Sequence, residues 1–311
     1  MTTTGPCGVF AGLATLDVIH RIDAPPGPDQ KITAREQFVA AGGPAANAAV
    51  TFAALGGRAV LLTALGMGAL AAAITAELTR RGVEVRDIAP DLVDVAPVSS
   101  VAVLESTGER SVIGGDAAAV EAPAPDHGVL RELLADADVA LLDGHHPALA
   151  RAVLAAAQAA TVPTVLDAGR WKPVMADLVG GIDDVVASAV FRTPDAATAQ
   201  ATLDDLHERG TRTVVLTAGA GPIRWSQGGR TGEIAPPQVE AVDTLGAGDV
   251  FHGAYAHALA EGASLEQRIT RAAEVAALRI QHAGPRTWLD ALAETLPDLP
   301  APPTAEGRLG S

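Results

Sequence analysis

Residues 243–253 read Asp-Thr-Leu-Gly-Ala-Gly-Asp-Val-Phe-His-Gly. A flexible turn, Gly246-Ala247-Gly248, meets a carboxylate, Asp249, where an apolar pattern of helical period begins with Val250, Phe251, Ala254, Tyr255, Ala258 and Leu259. The first N–H groups of a helix have no partner inside it, and the positive end of the helix dipole lies behind them. Such a turn holds anions, phosphate in particular. A carboxylate beside it would repel a phosphate. Its place makes sense if it takes a proton from a hydroxyl that attacks that phosphate. The pattern points to phosphoryl transfer onto an alcohol, with Asp249 as general base and the amides of Gly246, Ala247 and Gly248 as the anion hole.

A second constellation is Gly42-Gly43-Pro44-Ala45-Ala46-Asn47. Its two glycines allow the backbone to approach a ligand closely. Pro44 opens a helix that stops at Gly56-Gly57. Asn47, in the first turn, offers both a donor and an acceptor, which suits a sugar hydroxyl. Asp17 interrupts an apolar run and is placed at the end of the first strand, where open α/β sheets bind ligands. Arg110, in a Gly-Glu-Arg turn, either faces inward toward a phosphate or acidic substituent or lies on the surface. Arg170 and Lys172 follow a strand and are further rim candidates. His145-His146 lacks a third metal ligand at a suitable spacing and is read as a rim or loop pair.

These residues need a scaffold. Strand-like runs at 8–13, 59–65, 139–142, 164–167, 184–188 and 213–217 alternate with helical runs at 44–55, 69–81, 148–160 and 264–281. Ser264 and Gln267 fit a capping box at the start of the last of these. The rhythm predicts an α/β protein with a mainly parallel sheet and helices on both faces. Two segments break it: extended pieces within 16–40, and a hairpin over 98–115 with its turn at 106–108.

The stretch Asp-Thr-x-Gly-Ala-Gly-Asp resembles the C-terminal signature of the ribokinase-like (PfkB) carbohydrate kinases, and residues 42–57 resemble their N-terminal signature. The resemblance implies a three-layer α/β/α fold with a small β-sheet lid. It implies one domain over 1–298, lid insertions at about 16–40 and 98–115, and a flexible tail over 299–311. It implies ATP and Mg²⁺, a sugar bound by Asp17, Gly42, Gly43, Asn47 and Arg110, and nucleotide contacts from Thr217, Gly219, Gly221 and Thr244. Asp243, with carbonyls near Ala283-Gly284, would hold a monovalent cation such as K⁺. Dimerisation through the lid is common in the family.

The chain departs from the family pattern in three places. Ser188-Ala-Val-Phe191 stands where Asn-x-x-Glu is usual, so the Glu that organises Mg²⁺-bound water is missing. Gly66-Met67-Gly68 replaces a Gly-x-Asp motif, and Ala273 takes the place of an adenine-contacting Asn. The residues 242–255 look most like ketohexokinase-like and sulfofructose-kinase-like members, which favours a ketose-type acceptor.

Bulk properties narrow the partners. The 311 residues are 48% hydrophobic and only 19% charged, which suits a large folded core. The formal charge of −15 argues against nucleic acid. No run reads as a membrane helix or signal peptide, and a single cysteine, Cys7, fits a reducing, cytoplasmic setting. No Walker A or dinucleotide fingerprint is present. Two rivals to a sugar kinase are a nucleoside kinase of adenosine type and a non-catalytic sugar or nucleotide sensor. The aromatic content of 3% counts against the first, and Asp249 counts against the second.

Overall fold

The computed structural model describes residues 5–295 except 116, 118, 119, 121 and 189, so the tail expected over 299–311 lies outside the described residues. The chain begins with β1 (Cys7–Ala11), leaves the main sheet as β2 (Thr15–Ile22) and β3 (Glu36–Gly42), and enters α1 (Pro44–Ala54). It returns through β4 (Arg58–Thr63), α2 (Ala69–Arg80) and β5 (Val83–Asp87). The second excursion is β6 (Val98–Leu104) and β7 (Arg110–Gly114). Next come α3 (His127–Ala135), β8 (Val139–Leu142), α4 (Pro147–Ala160), β9 (Thr164–Ala168) and α5 (Met175–Leu178). After β10 (Asp184–Ser188), α6 (Ala199–Glu208) and β11 (Thr213–Ala218), a meander adds β12 (Gly221–Gln227) and β13 (Arg230–Ile234). Helices α7 (Ala247–Ala260), α8 (Leu265–Ile280) and α9 (Trp288–Thr295) follow.

The large sheet has nine strands in the order β13-β12-β11-β10-β9-β8-β1-β4-β5. All its pairings are parallel except β11–β12 and β12–β13. Strands β1 and β8 are buried along their whole length, as a parallel sheet covered on both faces requires. Two large apolar cores lie on its two faces. One gathers side chains of α1, α2, α7, α8 and α9, and the other those of α3 to α6. This is the three-layer, ribokinase-like arrangement. The capping box at Ser264 and Gln267 is present, with both of its hydrogen bonds made.

A second sheet has four strands in the order β3-β2-β6-β7, with β2–β6 parallel and its other pairings antiparallel. Alternation in β2 buries Asp17, Ile19 and Arg21 on the inner face. Ile19, Val101 and Val103 form a small core there with Phe38 and Leu245. The β6–β7 tip is fastened to the main body. The backbone N and the hydroxyl of Thr244 donate to the Gly108 carbonyl at 3.0 and 2.8 Å. Gly108 has φ +67°, and a Cβ there would come within 2.9 Å of the Val242 carbonyl, so the tip needs glycine.

One expectation changes. Asp17 is the third residue of β2, in the small sheet, and does not end β1. The apolar run hides the bend because both flanking strands are buried. The bend itself is held by the Asp143 carboxylate, which accepts from Leu13 N at 2.9 Å and Ala45 N at 3.2 Å. The segment 217–221, expected to follow a strand, ends β11 and forms the tight turn of the β11–β12 hairpin.

Candidate active site

Helix α7 begins at Gly246, whose φ of +72° suits glycine and which carries no side-chain cap. The N–H of Ala247 turns back to the Thr244 carbonyl, while Gly248 and Asp249 lie at the start of the helix, where N–H groups lack intrahelical acceptors. A Cβ built on Gly248 meets nothing within 4 Å, and Ala247 and Gly248 line an open cleft. The turn is therefore shaped to receive an anion.

Asp249 is reached from α1. Asn47 Nδ2 donates to Asp249 Oδ2 at 2.8 Å. The other end of the same amide is also engaged: Asn47 Oδ1 accepts from Arg286 Nη1 at 3.0 Å. Arg286 is in turn held by Glu77 of α2, Nε to Oε1 at 3.1 Å, and by the Ala41 carbonyl at 2.6 Å. A second hydrogen bond runs from Ala41 N to Glu77 Oε2. The chain Glu77–Arg286–Asn47–Asp249 fixes which way the Asn47 amide points, since only its nitrogen can donate to a carboxylate. Burial and the nearby Asp167 carboxylate push the Asp249 carboxyl up to about 6, against the pull of Asn47, His252 and Arg110. That suits a group that must accept a proton near neutral pH.

Asp17 lies against the same network. It lines a small cavity with Asn47, Gly246, Arg279 and Arg286, about 20 Å³ in volume and large enough for roughly one water. Burial, with Asp249 nearby, pushes its carboxyl up to about 7. Its Oδ1 is buried without a hydrogen-bond partner, a sign of a group awaiting one. Gly42 makes room for it: a Cβ there would lie 2.0 Å from Asp17 Oδ2. Of the glycine pair, Gly42 thus approaches Asp17, and Gly43, the N-cap of α1, approaches the Leu13 carbonyl.

The other side of the turn is different. A cleft of about 620 Å³ is lined by Ala247, Gly248, Thr244, Arg110, Thr217 and Gly219, together with small apolar residues of α8. Gly221 starts β12 and does not line it. Ala273 does line it, so the departure from the family's Asn falls at the cleft wall. Arg110 Nη1 is 3.3 Å from Thr244 Oγ1, so this Arg lines the cleft and is at the same time exposed on the surface. Phe191, in the usual Glu position, is 1% exposed and packs near Trp171 with ring centroids 6.1 Å apart. Arg170 is exposed and Lys172 Nζ donates to the Asp143 carbonyl at 2.7 Å; neither lines the small cavity or the wide cleft. His145 and His146, expected at a rim or in a loop, lie in the loop between β8 and α4 and are buried, with His145 Nδ1 3.0 Å from Asp143 Oδ1.

Sequence reading missed several residues that surround the turn. His252 Nδ1 and Nε2 sit 2.6 and 3.0 Å from the Gly248 and Val186 carbonyls, with Asp167 Oδ2 3.4 Å from Nδ1. Arg279 and Arg286 were missed because arginine in a helix or loop ordinarily reads as surface. The one available signal for His252 was its i+3 spacing from Asp249 on the helix.

With this fold, a carboxylate, a turn with unpartnered amides and a cleft of about 620 Å³ beside the ends of β10 and β11 fit an ATP-dependent kinase. The chain belongs to the pfkB family of carbohydrate kinases, whose model matches residues 9–292. It is 24% identical over 295 residues to the ribokinase of Haemophilus influenzae, covering 91% of this chain and 96% of that protein. A crystal structure of a protein from Agrobacterium tumefaciens superposes with TM-score 0.79 and 27% identity, covering 94% of this chain and 99% of the other. Arabidopsis thaliana ribokinase, complexed with ribose and ATP, superposes with TM-score 0.72 and 24% identity over 93% and 99% of the two chains.

Proposed function

We propose that this protein transfers the γ-phosphoryl group of ATP to a primary hydroxyl of a sugar or sugar-like alcohol. One observation carries the reading. The 244–249 turn separates two cavities, with Gly246 on the small polar side and Ala247 and Gly248 on the wide side. An acceptor seated against Asp17 would meet a nucleotide lying along α8 at the open amides, with Asp249 between them.

In this reading Asp249 takes the proton of the attacking hydroxyl, and Asn47, held by Arg286, keeps the carboxylate aimed. Asp17 fixes the acceptor through its hydroxyls. The amides of Gly248 and its neighbours stabilise charge on the transferring group. Among the described residues no cluster of three His, Cys, Asp or Glu could hold a metal. Magnesium would therefore be carried chiefly by the oxygens of the nucleotide, where it screens phosphate charge.

The acceptor class is narrowed by two lines. The similar proteins are named ribokinases, and the motif 242–255 favours a ketose. ADP release should be measured over ribose, ketoses and nucleosides. Turnover of a sugar supports the reading; turnover of nucleosides alone moves the protein to a nucleoside kinase. Ligand binding with no turnover of any acceptor overturns it in favour of a sensor.

The reading includes a homodimer through the small sheet. Pairing places Val39, Val18, Ser100 and Ile113 in one row across it. Val39 and Ile113 are 65% and 77% exposed, an apolar stripe that a second copy would cover. Ile113→Lys should shift sedimentation toward a monomer. A cytoplasmic setting also belongs to the reading, on the strength of Cys7 as an unpaired, buried thiol.

A further inference from the structure

A buried guanidinium sits at the root of the anion-binding turn. Arg279, in the last turn of α8, is 1% exposed. Its Nη1 donates to the backbone oxygens of Asp243 and His282 at 3.3 and 2.8 Å. Its Nη2 stands 3.4 Å from Asp243 Oδ2. The Asp243 side chain is fully buried, and its two oxygens accept from Leu245 N at 2.9 Å and from Gly284 N at 3.0 Å.

These are the groups expected to hold a monovalent cation: Asp243 and carbonyls near Ala283-Gly284. A hard cation needs several oxygen ligands turned toward it. Here both carboxylate oxygens are turned toward N–H groups, and two carbonyls are turned toward Nη1. An ion placed among them would share a low-dielectric site with a fixed positive charge. The residues do not fit the ion.

We propose that Arg279 is a built-in monovalent cation for the anion-binding turn, so that neither the fold nor phosphoryl transfer in this protein depends on K⁺ or Na⁺. The guanidinium neutralises Asp243 and grips the Asp243 carbonyl. The Asp243 carboxylate in turn holds Leu245 N, one residue before Gly246. Arg279 also lines the small cavity beside Gly246, so its charge lies close to the turn itself. An exchangeable ion would make this geometry follow its concentration; a side chain does not.

The ion-binding half of the inference stands without any activity, and the catalytic half rests on the proposed kinase function. The full chain should be melted without ligand in about 0.1 M KCl and in equal tetramethylammonium chloride, since an ion bound only by the folded state raises Tm by mass action. The expected melting temperatures agree within about one degree, and a rise of several degrees in KCl overturns the proposal. ADP release on the best acceptor is expected to agree within about twofold between the two salts, and activation of about tenfold by K⁺ overturns it. Arg279→Ala is expected to melt lower than wild type, with low-millimolar guanidinium restoring part of the loss. If it melts like wild type in both salts, Arg279 is not the turn's cation. Should no acceptor yield ADP, the kinase reading fails while the melting comparison still decides the cation question.

Discussion

The two sides of the 244–249 turn are built on opposite lines. The proposed acceptor side opens on a small cavity walled by Asp17, Asn47, Arg279 and Arg286, and the last three are held by one another or by the backbone. The proposed nucleotide side is broad and walled largely by Ala, Gly, Val and Pro, with Arg110 at its edge. One side fixes polar groups in advance, which favours discrimination among hydroxylated ligands. The other offers shape and main-chain amides, which tolerate change in any one wall residue. Substitutions should therefore divide cleanly between acceptor and nucleotide parameters.

The strongest test is Asp249→Asn. Turnover should fall by roughly 10²-fold or more, with ATP affinity by calorimetry held within about threefold. A matching loss of ATP affinity would erase the division. Arg286→Met comes next. It leaves Glu77 unpaired at a site where both side chains are at most 14% exposed, and denaturant titration should show a loss of about 3 kcal/mol. It also frees the Asn47 amide, so kcat should drop while the ATP KM holds.

The pH response sharpens the comparison further. Asp249 and Asp17 sit at about 6 and about 7, both above their ordinary value of 3.8. The native state thus favours their neutral forms. Their contribution to stability is full below about pH 4 and is lost as pH rises through 6 and 7. Turnover runs the other way, falling about tenfold per unit as pH drops below 6 and Asp249 protonates. Ligand-free melting should therefore decline over the range where activity climbs, and Asp249→Asn should flatten both curves.

Asp17→Asn should raise the acceptor KM by about tenfold and leave the ATP KM alone. The smallest effect is expected on the nucleotide side. Gly219 has φ +59° with open space around it, so Gly219→Ala should cost about 1 kcal/mol of stability and shift only the ATP KM, by a few-fold.

Much of this was readable before any coordinates. The helix starts at Pro44 and Ser264 follow from local chemistry, and the turn with Asp249 follows from residue type and spacing. Strands β5, β12 and β13 and helix α3 escaped notice, because short runs such as Val83–Asp87 and Arg230–Ile234 mix charge with apolar residues. Asp17 was misplaced because one apolar run covers two strands of different sheets. Asn47 was read as a sugar ligand from its donor and acceptor, and nothing in the sequence told that both ends of its amide also engage residues 202 and 239 positions away in the chain. Periodicity carries no trace of such partners. The same holds for Arg279 and Arg286, whose burial is compensated only by groups that the fold brings in.

The bonds from Thr244 to the Gly108 carbonyl have a mechanical consequence. A cover stitched down at that corner cannot lift there without tearing both stitches. The opposite margin is fastened as well, since Ala41 of β3 is bound by Glu77 and Arg286. Any swing of the cover therefore pulls on the chain segment that leads into α7, and under the proposed function it would reach the phosphate-facing turn.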